Sequence, residues 1–296
     1  MKPTYAFALI TAALSSLSWA GSVQVNSGKE IAPTTPEVRP RVEVNFRAST
    51  DYVGSGDFRF RGAGEQDAFH AHIEAGVSIP LKDAVYFTFN GFYDRFDFGT
   101  SLAPVPTTLY KVGADVALEY RSEGEVAVAL IASPGIYGSE IHSDSFNVPI
   151  TAYGSYRLTP SLVVVAGARY NQWSEYPILP SLGLIWTVNE HWKVRAIASS
   201  PRIEYSPNED VTFSVGGELG GGTYRTAKTE QNFGGEKLDY YDIRAGAAVT
   251  YRGWKPVSLS FSAGWSFERS FTYDELDEKY GVEGAPYVAV AAKATF

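Results

Sequence analysis

From residue 41 onward the chain is written with a period of two. In residues 69–79, Phe69, Ala71, Ile73, Ala75, Val77 and Ile79 alternate with His70, His72, Glu74, Gly76 and Ser78. Successive side chains of a β-strand point to opposite faces, so this segment has one apolar and one polar face. Residues 257–268 are nearly regular: Val257, Leu259, Phe261, Ala263, Trp265 and Phe267 oppose Ser258, Ser260, Ser262, Gly264, Ser266 and Glu268. Residues 41–48, 110–121, 192–199, 211–219 and 241–252 follow the same rule. Polar residues fall at every second position, and no amphipathic segment joins a helix start signal to three or more helical turns. The fold class expected is all-β and antiparallel.

Alternation alone fits two architectures: a soluble sandwich, whose apolar face packs on a second sheet, and a membrane barrel, whose apolar face meets lipid. Three features select the barrel. The strands expected over residues 84–98, 109–122, 237–252 and 257–272 far exceed the usual length of about 5–6 residues and suit a tilted membrane crossing. Tyr86, Tyr120, Tyr156, Trp186, Trp192, Tyr251 and Trp254 flank the tightest turns, where an interfacial girdle lies. The final segment alternates Val288, Val290, Ala292, Ala294 and Phe296 with more polar or small residues. A closing strand ending in an aromatic resembles the signal by which the outer-membrane barrel-assembly machinery recognises its clients.

Residues 1–20 read as a secretory signal: Lys2 supplies the positive charge, an apolar stretch follows, and Ser18-Trp19-Ala20 is a cleavage site. Residues 21–40, with Pro33, Pro36 and Pro40 and no apolar period, read as a flexible periplasmic leader, and residues 41–296 as the barrel. The expected location is therefore the outer membrane of a Gram-negative cell, with membrane lipid as a partner. The absence of cysteine excludes a disulfide scaffold, a thiolate metal site and a lipid-anchored lipoprotein. A formal net charge of −8 speaks against nucleic acid as a partner.

Short turns at residues 80–83, 122–125, 158–161, 189–191 and 253–256 alternate with long polar segments at 50–67, 99–108, 134–145, 224–236 and 273–285. In bacterial barrels the short turns are periplasmic and the long loops external. Strict alternation requires one more crossing between residues 199 and 210. Ser199-Ser200 becomes a tight outer turn, residues 202–205 a short strand and residues 207–210 a periplasmic turn. The count is then about 14 strands, with 12 as the alternative if that short strand is not one.

Pro180-Ser181-Leu182-Gly183-Leu184-Ile185-Trp186, then Trp192, Pro201-Arg202-Ile203-Glu204-Tyr205 and the run from Val215-Gly216-Gly217 to Gly222-Thr223-Tyr224-Arg225 resemble a family of uncharacterised bacterial outer-membrane β-barrels of the verrucomicrobial and planctomycete type. The resemblance implies a barrel; it brings no substrate and no catalytic residue.

By alternation the polar faces carry Arg47, His72, Glu74, Lys111, Asp115, Glu119, Arg169, Arg195, Glu218, Asp242, Arg244 and Glu268. Arg41, Lys193, Arg252 and Lys293 share that phase. An Arg or Lys in the lipid-facing band costs about 2–4 kcal/mol near the midplane, so these residues are expected to line the lumen. A mixed-charge lumen suits a passive, porin-like channel for small polar solutes; a filled interior would make the protein a structural or surface-interaction barrel. No catalytic, cofactor or metal site is expected. His70 and His72 share a strand face but have no evident third ligand. His142-Ser143-Asp144 is contiguous, whereas the members of a hydrolase triad are usually gathered from separate parts of the chain. His191, beside Trp192, reads as interfacial. Gly216-Gly217 and Gly220-Gly221-Gly222 lack the Lys-Ser/Thr of a phosphate loop and read as places of close approach. The acidic run at 274–278 reads as a solvated loop.

Overall fold

The computed structural model describes residues 42–296 except 61, 83, 123, 124, 231 and 232. The expected signal and leader, and Arg41, lie outside the described residues. The chain forms β1 (Glu43–Asp57), β2 (Glu65–Lys82), β3 (Val85–Phe98), β4 (Thr108–Arg121), β5 (Val126–Ala132), β6 (Gly135–Gly138), β7 (Phe146–Asn147), β8 (Ile150–Thr159) and β9 (Leu162–Tyr170). It continues through β10 (Ile178–Thr187), β11 (Trp192–Ile197), β12 (Arg202–Tyr205), β13 (Val211–Arg225), β14 (Lys237–Trp254), β15 (Val257–Tyr273), β16 (Glu278–Val282) and β17 (Ala285–Thr295).

Antiparallel pairing runs from β1 to β5, on to β8, through β15 to β17, and back to β1, from Asn45↔Thr295 to Val53↔Tyr287. The result is a closed, transmembrane barrel of 14 strands. The short strand required by alternation is β12, at residues 202–205, paired to β11 and β13. The short elements β6, β7 and β16 continue the wall beyond β5, β8 and β17 at the long-loop end.

The strands stand taller at that end than the sequence reading has them. Pairing of β1 with β2 continues to Asp57↔Glu65, so most of the segment 50–67 is strand. The ladder satisfies backbone groups well beyond the membrane, and the loops proper are short caps on it.

Outward-facing side chains are apolar and exposed, among them Phe46, Ile73, Phe89, Leu118, Leu130, Leu182, Phe261 and Val290. Tyr120, Tyr156, Trp186, Trp192, Tyr205 and Tyr251 ring the short-turn end; Tyr52, Phe69, Tyr170 and Trp265 sit near the other rim. Tyr86 departs from the expected girdle. It shares the inward phase of Thr88, and the Arg121 guanidinium lies 4.5 Å from its ring centre.

The barrel has a core of its own, inside its long-loop half. Val53, Leu109, Tyr224, Leu238, Phe271, Tyr273 and Val282 are wholly buried there, and Phe96, Phe98 and Tyr240 pack among them. Phe98 meets the Tyr240 and Phe271 rings at 5.0 Å in edge-to-face contacts, the preferred geometry for aromatic pairs. Ala63 and Ala103, from the loops above, close over this cluster. Such a core is possible because the inward phase of the tall strand ends is aromatic, while lower down it is ionic.

Candidate functional site

Beneath the aromatic core lies a chamber of about 1260 Å³ that runs down to the short-turn end, where Asn189, Glu190, His191 and Lys255 line its mouth. Eleven of the twelve residues expected to line the lumen do border it: Arg47, His72, Glu74, Lys111, Asp115, Glu119, Arg169, Arg195, Glu218, Asp242 and Arg244. Lys193, Arg252 and Lys293 also border it.

Glu268 does not, which corrects the expectation. Opposite β14 the register shifts between Ile243↔Glu268 and Arg244↔Ser266, leaving Phe267 as an extra residue. A bulge reverses the phase of everything beyond it. Arg269, Phe271 and Tyr273 therefore point inward, and Glu268 sits at the rim, 3.6 Å from Arg59 and 3.4 Å from Lys279.

At the roof of the chamber the ionic side chains form one connected chain. The Ser266 hydroxyl donates to Asp242 at 2.6 Å, and the Arg244 guanidinium donates to Asp242 and to Asp51, each at 2.6 Å. Asp51 holds His70 Nδ1 at 2.8 Å, and the other ring nitrogen meets Asp94 at 3.0 Å. Asp94 also meets His72 Nδ1 at 3.0 Å, and His72 Nε2 lies 3.7 Å from Glu74. Asp51, His70 and Asp94 are central to this chain, yet were not among the expected residues. The histidines are committed to carboxylates, and no group of three or more ligands able to hold a metal ion is found among the described residues.

Lys111 spans the chamber from β4, and its ammonium donates to the Gly221 carbonyl of β13 at 2.7 Å. It passes between the Phe96 and Tyr224 rings, 5.8 and 5.6 Å from their centres, a placement that favours a cation. Gly221 has φ +116°, and a Cβ there would overlap the Tyr240 carbonyl. The glycine run thus provides the close approach expected of it. Lower down, Arg195 donates to Glu204 at 2.9 Å, and the Ser133 hydroxyl to Asp115 at 2.6 Å.

The charges bordering the chamber balance, with ten Lys or Arg and ten Asp or Glu. They are unevenly placed. Of these charges only Arg169 lies on β5, β8, β9 or β10, where Ile131, Val163, Val165 and Ile185 make the wall apolar; Arg157, on the same inward phase of β8 opposite Val163, does not border the chamber. At the other end two segments clasp over the core. Ser139 N donates to the Arg225 carbonyl at 3.0 Å, the Ser139 hydroxyl to Glu230 at 2.6 Å, and Lys228 pairs with Asp144 at 2.5 Å. Burial holds the Glu230 carboxyl above its ordinary value, and the Lys228 ammonium holds Asp144 below its own. His142 caps a short turn here, accepting from Asp144 N at 3.3 Å, and is exposed. His191, also exposed, lies against Tyr205 and meets the Ser206 carbonyl at 2.9 Å.

Among solved structures, the chain is similar to the COG4313 outer membrane channel from Pseudomonas putida F1, with a TM-score of 0.49 and 11% identity over 88% of this chain and 100% of that one. It is also similar to a deltaS2 mutant of the TodX monoaromatic hydrocarbon channel, with a TM-score of 0.49 and 10% identity over 93% and 95% of the two chains. The outer membrane channel DcaP of Acinetobacter baumannii gives a TM-score of 0.40 at 11% identity over 90% and 100%. A search of the curated proteins found no match in sequence. The profile of a domain of unknown function, DUF6268, matches residues 46–283. With four-fifths of its length inside that match, the chain belongs to the DUF6268 family.

Proposed function

We propose that the protein is a passive, porin-like channel of the outer membrane for small polar solutes. The observation that carries this reading is the continuous chamber of about 1260 Å³, bordered by ten cationic and ten anionic side chains and reaching the short-turn end. By the usual orientation that end faces the periplasm. Rings of charge inside a barrel select by field rather than by fit. Balanced signs leave little net field along the axis, so the chamber as a whole selects little between anions and cations. The test is conductance of the refolded protein in planar bilayers. Stepwise currents with a reversal potential near zero in a potassium chloride gradient support the reading. A well-folded barrel that stays silent from both sides removes it.

A second reading, a closed barrel with a structural or surface-interaction role, is favoured by the aromatic core. Tyr224, Tyr240, Phe271 and Tyr273 pack, almost wholly buried, between the chamber and the long-loop end. It expects that removing the clasp segments abolishes partner binding and leaves permeability unchanged.

A further inference from the structure

The wall of the barrel is incomplete on one side. β11 and β12 are six and four residues long. β10 pairs with β11 only from Gly183 to Thr187, although β10 itself extends up to Ile178 and pairs with β9 along its whole length. Thr187 N donates to Ser161 on the β9 side. Backbone groups of an antiparallel strand alternate between its two edges. The N–H and C=O of even-numbered β10 residues therefore address β11, and above the β11–β12 turn Ile178, Pro180 and Leu182 address no strand among the described residues. Pro180 fits such an edge, having no N–H to leave stranded.

The facing edge of β13 has no strand beside it between Gly216, the last residue paired with β12, and Arg225, which pairs with Gly138 of β6. Gly217 N and Leu219 N donate to Pro201 and Ser199, the last residues of the turn to reach them. Higher up, the Gly221 carbonyl is met by Lys111 and the Arg225 carbonyl by Ser139 N. At the top, Asn171 donates to the Thr223 hydroxyl at 3.4 Å, and Arg225 lies 5.2 Å from the centre of the Trp173 ring. The gap is thus framed on all sides, below the rim aromatic Tyr170. An open sheet edge at membrane depth is tolerated where it lines a cavity, and not where it faces lipid. A small groove lies on the β10 side of this gap, against β8, β9 and β10, with Leu179, Ser181, Ile197 and Ser199 in its lining. It shares Arg169 and Ser199 with the chamber.

We propose that this gap between β10 and β13 is a lateral port, through which a small amphipathic anion passes between the outer leaflet and the chamber. The apolar body of such a molecule would follow Leu179, Val165 and Ile197, which line the groove. Its charged head would meet Arg169 and Lys111, the cations on the chamber side. The inference rests on the channel reading for what happens beyond the chamber, and adds a sideways entrance below the aromatic core.

Hydrogen exchange of the protein in phosphatidylcholine nanodiscs tests the port itself. The amide of Leu182, on the free edge, is expected to exchange at least 100-fold faster than that of Leu184, which lies two residues away and pairs with β11. Equal protection of the two overturns the proposal. For the ligand class the probe is 11-bromoundecanoate, whose bromine quenches nearby indole. Quenching that is present in the wild type, lost in Trp173→Phe and weakened at least tenfold in Ser181→Phe is expected. Quenching that is absent, or indifferent to Ser181→Phe, overturns the amphipathic ligand. Silence in planar bilayers would remove the channel reading while leaving both of these results to stand or fall alone.

Discussion

Arg244 on β14 donates to Asp51 on β1 at 2.6 Å, a bond between residues 193 apart in sequence with β15 and β17 between their strands. It is a chord inside the barrel, tying two arcs of wall that are not hydrogen-bonded neighbours. Both side chains are about nine-tenths buried. Removing one partner of a buried pair leaves an uncompensated charge and costs about 3–5 kcal/mol. Arg244→Gln is expected to lower unfolding free energy by that order, because Asp51 and Asp242 both lose their cation. Urea unfolding followed by heat-modifiable gel mobility measures it. A double-mutant cycle with Asp51→Asn should show strong coupling; additive effects would mean that the chord contributes nothing.

The aromatic core is expected to be the barrier to axial flow. Tyr240→Ala and Phe271→Ala each remove a ring from a tight cluster, at a cost of about 3–5 kcal/mol if the cavity does not collapse. The double variant should raise single-channel conductance several-fold over the wild type while gel mobility still reports a folded barrel. Unchanged conductance in a folded double variant would place the barrier elsewhere.

The clasp over the core has an acid limit. Lys228 holds the Asp144 carboxyl below its ordinary value, so this pair contributes above the unfolded-state value of about 4 and is lost as pH falls through the lower folded value. Glu230 runs the other way: its raised value makes its contribution greatest in acid and lost as pH rises. The chain has no cysteine, so a spin label at Thr229→Cys reports on this segment alone. Its mobility should rise below about pH 4, and adding Lys228→Met should abolish that transition.

The orientation of the wall is testable one residue apart. Val290 is half exposed on the outer face of β17, and Ala291 borders the chamber. Arginine in the lipid-facing band costs about 2–4 kcal/mol near the midplane. Val290→Arg is expected to lose that much in folding into liposomes, and Ala291→Arg to lose less than half of it. The reverse order would mean that the two faces have been assigned the wrong way round.

Much of the fold was legible because a period of two survives insertion of almost any loop. Even β12, four residues long, followed from the need for turns to alternate. Glu268 was misplaced because the reading assumed unbroken alternation, and the bulge at Phe267 is set by pairing with a distant strand. Its trace in the sequence is the change of phase that puts Arg269, Phe271 and Tyr273 in step. Asp94 was missed for a different reason. Residues 85–98 carry aromatics on both faces, Phe89 and Tyr93 outside with Phe92 and Phe96 inside, so hydropathy does not mark the inner phase. Asp51 fell in a segment read as loop, because nothing local says that β1 continues past the membrane.

The short hairpin β11–β12 has a consequence for the lipid around it. Six residues rise about 20 Å along a strand, or roughly 15 Å once tilted, against a hydrocarbon thickness of about 30 Å. Around most of its circumference the protein offers acyl tails a full-height apolar wall; over this sector it offers half of one. The two leaflets therefore meet different boundaries there, and the cheapest adjustment is for the bilayer to pinch locally. A barrel that dimples its membrane on one flank will sort into thin, fluid patches and will keep a preferred rotational setting beside its neighbours.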